Sequence, residues 1–67
     1  MDHQTTCRIV TIAEMAEELG LGDYYTWDTA HDPDAAWLAG AMRQWCPGDT
    51  GRALVYCDRR EDFVGRA

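Results

Sequence analysis

Three cysteines and two histidines have the widest chemical repertoire in this chain, and their spacing restricts what they do. Cys7, Cys46 and Cys57 together with His3 or His31 nominally make a Cys3His metal set. Zinc sites ordinarily take two ligands from one tight knuckle such as CxxC, and no such pair occurs here. No metal and no other cofactor is expected. Three is also an odd number for a disulfide framework, in a chain whose opening residues Met1 to Thr6 include neither a basic nor an apolar leader. The cysteines read as reduced thiols packed like small hydrophobes. Cys46 and Cys57 come near each other if the end of a second helix packs on the last strand, but nothing requires that they pair.

His31 is the histidine with carboxylates beside it, Asp32 and Asp34. A general base needs a positioned acceptor inside a pocket, and so short a chain has little material with which to wall one. Both aspartates also have a simpler role at a helix start. Neither GxSxG, a Walker loop, HExxH nor a glycine-rich phosphate cradle occurs. The chain is not expected to be an enzyme.

What remains is charge. Twelve Asp and Glu against six basic residues, all Arg, leave a net charge of −6. That sign opposes binding to phosphate backbones or anionic lipid. The excess is uneven: between Arg8 and Arg43 no basic residue occurs, while Glu14, Glu17, Glu18, Asp23, Asp28, Asp32 and Asp34 all fall in that interval. From Arg43 onward, five Arg face Asp49, Asp58, Glu61 and Asp62.

The elements that must position these groups are partly legible. Thr11, Ile12, Ala13 and Glu14 match a capping box, and Ile12, Met15, Ala16 and Leu19 follow the i, i+3, i+4, i+7 stripe, so a helix is predicted over 12–19 with Gly20 as its left-handed stop. Asp32 as N-cap, Pro33 at the first position and Asp34 in the first turn open a second helix. Its stripe is Trp37, Leu38, Ala41, Met42 and Trp45, and Pro47 and Gly48 end it. Gly40 within it implies a close neighbour. Thr6 to Val10 and Ala53 to Asp58 read as strands, and Tyr24 to Trp27 as a third, in which alternation buries Tyr25 with Trp27 and exposes Tyr24. Arg59 to Ala67 reads as either a frayed helix or an edge strand.

Sixty-seven residues support one domain, 1–67, and a 46% apolar fraction suffices for a small core. The expectation is an α+β mini-domain with a three-stranded sheet and two helices packed on one face, in the order β-α-β-α-β. No stretch approaches 18 apolar residues, so the chain is expected to be soluble, cytoplasmic and monomeric.

Glu14, Glu17 and Glu18 share one helical face opposite the apolar stripe, a like-charge cluster that costs a few tenths of a kcal/mol per pair. A domain of this length has a diameter of about 28 Å, along which one DNA strand presents about eight phosphates. Seven carboxylates are a comparable number. A basic nucleic-acid-binding protein is therefore the expected partner, with the acids standing in for phosphates. Exposed ion pairs contribute only about 0 to 1 kcal/mol and chiefly steer association, so an aromatic anchor is needed as well. Tyr24 lies in the middle of the acidic interval.

Ile12 to Leu21 also resembles the opening helix and turn of a helix-turn-helix, but Gly22 to Asp28 offers no basic residue where a recognition helix would meet phosphates. In overall character, very short, acidic over one half and without catalytic or export motifs, the chain resembles the small inhibitors of phages and mobile elements, in particular the anti-CRISPR proteins. The resemblance rests on no shared motif. It implies blockade of a CRISPR effector subunit, such as one of a type I Cascade complex, at the channel or site meant for target DNA. The alternative is an acidic interaction module or antitoxin-like regulator without nucleic-acid mimicry.

Overall fold

A computed structural model describes residues 6–67 of the chain. His3, considered above as a ligand, lies outside the described residues. Strand β1 (Cys7–Thr11) runs directly into helix α1 (Ile12–Glu18), and a single 3-10 turn (Tyr24–Thr26) precedes helix α2 (Pro33–Trp45). Strands β2 (Ala53–Cys57) and β3 (Asp62–Arg66) close the chain as a hairpin. The sheet is antiparallel with spatial order β1-β2-β3.

The α+β architecture is as expected, but the element order is β1-α1-α2-β2-β3 rather than β-α-β-α-β. Tyr24 to Trp27 does not form a strand. The Asp23 carbonyl accepts the Thr26 amide at 2.9 Å and the Thr26 hydroxyl at 2.7 Å, and the Trp27 indole donates to the Gly22 carbonyl at 3.0 Å. These local bonds curl the segment before any strand can claim its backbone. Tyr25 is accordingly 83% exposed rather than buried, and Tyr24 packs edge-on against Trp27 at 5.3 Å between centroids. The third strand comes from the tail. It is reached through a turn in which Glu61 takes a left-handed φ of 54° while its amide donates to the Cys57 carbonyl at 2.9 Å.

Both helix starts follow their sequence signals. Thr11 Oγ1 accepts the Glu14 amide at 3.0 Å and the Glu14 carboxylate accepts the Thr11 amide at 2.8 Å, completing the capping box. Asp32 accepts from the Asp34 and Ala35 amides, and Pro33 occupies the first turn. Helix α1 ends in a Schellman arrangement, with the Leu21 amide on the Ala16 carbonyl, the Gly20 amide on the Glu17 carbonyl, and Gly20 at φ 74°. Gly40 differs from expectation: a Cβ there would meet only the Arg43 guanidinium, at 3.9 Å, so no close packing accounts for it.

Ile12, Met15 and Ala16 of α1 meet Leu38, Ala41 and Met42 of α2 over Val10, Leu54 and Phe63 of the sheet. Ile12, Leu38 and Leu54 are fully enclosed. The uncovered sheet face carries Ile9, 67% exposed, opposite Val55.

Two of the three cysteines are not the reduced thiols expected. Cys7 and Cys57 sit directly opposite each other in the β1–β2 ladder and form a disulfide closing a separation of 50 residues. Linear spacing conceals this, because register places the two thiols together. Cys46 alone is free and buried.

Candidate partner-binding surface

The seven acidic residues singled out above divide by environment. Glu14 is partly committed to the α1 cap. Glu18 accepts both guanidinium nitrogens of Arg8 at 2.7 Å, and these hydrogen bonds hold its carboxyl below the usual range while raising Arg8. The side chain of Glu17, one helical position earlier, makes no hydrogen bond or ion pair among the described residues. The i, i+3, i+4 face is thus relieved at one end by an internal cation and left uncompensated in its middle.

Glu17 stands on the rim of two surface depressions. One, of about 210 Å³, places it with Asp23, Tyr24 and Trp27. The other, about 490 Å³ and shallower, runs along β1 and places it with Arg8, Glu14 and Glu18. Five of the predicted site residues, Glu14, Glu17, Glu18, Asp23 and Tyr24, therefore line these two depressions, with Glu17 common to both. Asp23 also accepts from the Tyr25 hydroxyl at 3.3 Å, and Tyr24 is 48% exposed.

The remaining three are placed elsewhere. Asp28 lies 3.1 Å from His31 Nδ1, and Asp32 is spent on the α2 cap; neither lines those two depressions. His31 is turned toward Asp28 rather than Asp32 or Asp34, with its side chain 84% exposed. Asp34 lines a third groove, about 480 Å³, with Asp58 and Glu61 at its rim and Met15, Leu19, Trp37 and Tyr56 along its walls. Asp58 and Glu61 come from the half of the chain that sums close to neutral, so counting along the sequence missed them. Only the hairpin brings them to the start of α2.

Tyr56 in this groove is already engaged. Arg8 lies 5.6 Å from its ring centroid, Trp37 and Phe63 pack around it, and burial pushes its hydroxyl above the usual tyrosine range. Among the described residues no three His, Cys, Asp or Glu side chains converge to hold a metal ion, and no helix is long and apolar enough to cross a membrane. In comparisons with protein-family models, curated proteins and solved structures, nothing matches this chain.

Proposed function

We propose that this protein is a protein-binding inhibitor whose acidic surface occupies a cationic, nucleic-acid-binding groove on a bacterial protein. The observation that carries the reading is Glu17 on the shared rim of two depressions, between Asp23 and Tyr24 on one side and Glu14 and Glu18 on the other. Carboxylates so placed attract a basic groove over a Debye length of about 8 Å at physiological salt. Tyr24 supplies the anchor that charge alone lacks. In the specific form that the resemblance to anti-CRISPR proteins implies, the target is a type I effector in the cytosol and the blocked ligand is its target DNA.

The test is capture of the partner on immobilised protein from a bacterial lysate, at 50 and 200 mM salt, followed by competition with duplex DNA. Phosphate mimicry requires steep loss across that salt range and displacement by the duplex. Glu17→Arg is the clean variant, since reversing Glu14 or Glu18 also removes the α1 cap or the Arg8 pair. Retention of the partner by Glu17→Arg, undiminished, would overturn the reading.

The Cys7–Cys57 disulfide favours a second reading, an acidic interaction module working in an oxidising compartment, because such bonds persist chiefly outside the reducing cytosol. Binding that scarcely responds to salt and that DNA does not displace would select it.

A further inference from the structure

We infer that the outer edge of β1 is a docking strand for an extended segment of a partner protein in which basic and apolar residues alternate. The inference deepens the proposal above and rests on its cationic partner; it adds the conformation in which that partner binds.

The ladder shows which backbone groups are spent. The Asp58 amide donates to the Thr6 carbonyl at 3.0 Å, and antiparallel alternation then directs the main-chain groups of Arg8 and Val10 toward β2 as well. Those of Cys7 and Ile9 face away from the sheet. On the far side of β2 the Ala67 amide donates to the Ala53 carbonyl at 3.0 Å, in phase with the same alternation.

The two edges differ. The pairing of β3 slips at Val55/Tyr56, the kind of irregularity that blunts an edge, whereas β1 pairs without interruption from Cys7 to Thr11. Neither proline nor lysine guards β1.

The flanks specify the occupant. On the helix side, Glu14, Glu17 and Glu18 line the groove beside β1 together with Arg8, which is spent on Glu18; Glu17 and Glu14 are left to face the groove, so an added strand would place Lys or Arg there. On the opposite face it would meet Ile9, which favours an apolar residue. A second copy of this chain would set one glutamate row against another, and the net charge of −6 opposes that. A foreign basic strand satisfies the amides and the charge together.

The probe is an octapeptide of alternating Lys and Val, read by amide hydrogen exchange and titration against the intact protein. The Cys7 and Ile9 amides should exchange at least fivefold more slowly with saturating peptide, while β3 amides stay unchanged. Ile9→Pro removes an outward N–H without touching the bonds to β2, and should weaken binding at least tenfold. The fully N-methylated peptide keeps every charge but no donor, and should also bind at least tenfold more weakly, which covers the case that Ile9→Pro misfolds. Absence of binding by the Lys/Val peptide, or equal binding by its N-methylated form, overturns the pairing. Binding lost in Glu17→Arg but kept in a folded Ile9→Pro overturns the pairing and leaves the charge reading standing. The opposite pattern keeps the pairing and overturns the charge reading. Protection of Cys7 and Ile9 that grows with protein concentration alone makes a second copy the occupant and overturns the proposal.

Discussion

Arg8 of β1 and Glu18 in the last turn of α1 form a two-bond pair at 2.7 Å that ties the edge strand to the far end of the helix it feeds. The same guanidinium lies 5.6 Å from the Tyr56 ring centroid, so one side chain joins β1, β2 and α1. Glu18 would otherwise repel Glu14 and face the negative end of the helix dipole.

The pair makes stability depend on pH in the acid range. Because the Arg8 hydrogen bonds lower the folded-state carboxyl of Glu18, its contribution is complete above the ordinary carboxylate range and disappears as pH falls through the depressed value. Arg8→Met should flatten the acid side of a plot of melting temperature against pH. An unaltered acid limb in that variant would mean that the pair contributes nothing in solution.

The Cys7–Cys57 bond closes a loop long enough for cross-linking to matter in so small a domain. Reduction should lower unfolding free energy by about 2–4 kcal/mol, measured by urea melts with and without reductant. The Cys7→Ser, Cys57→Ser double variant should match the reduced protein and lose its response to reductant.

Cys46 is expected to behave oppositely. Burial raises its thiol, keeping it protonated at neutral pH. Thiol reagents should label it only when the chain opens, at a rate that rises with urea; rapid labelling of the native protein would contradict its enclosure.

Leu38 is fully enclosed between α1 and the sheet. Leu38→Ala should cost about 2–5 kcal/mol through lost burial and an unfilled cavity. In a domain this small that is a large share of total stability. The reduction test and this one should be run separately, since their sum would leave too little folded protein to measure.

Much of this molecule is written in short-range chemistry. Thr11 with Glu14, Asp32 with Pro33, and Gly20 after Leu19 each act within one helical turn, so both helices and their ends follow from neighbouring residues alone. The apolar stripes name most of the core for the same reason. The acidic face of α1 is equally local, because i, i+3 and i+4 fix which side Glu14, Glu17 and Glu18 share.

Tertiary structure decided the remainder, and in each case the deciding partner is distant in the chain or the competing forces are close. Tyr24 to Trp27 has strand-like residues, yet hydrogen bonds donated to the Asp23 and Gly22 carbonyls outweigh that weak preference. Cys7 meets Cys57 only through strand register, Arg8 meets Glu18 only because β1 turns directly into α1, and Asp58 and Glu61 reach Asp34 only through the β2–β3 hairpin. A charge count along the chain is blind to such encounters, since folding brings groups together by surface position while sequence orders them by connectivity.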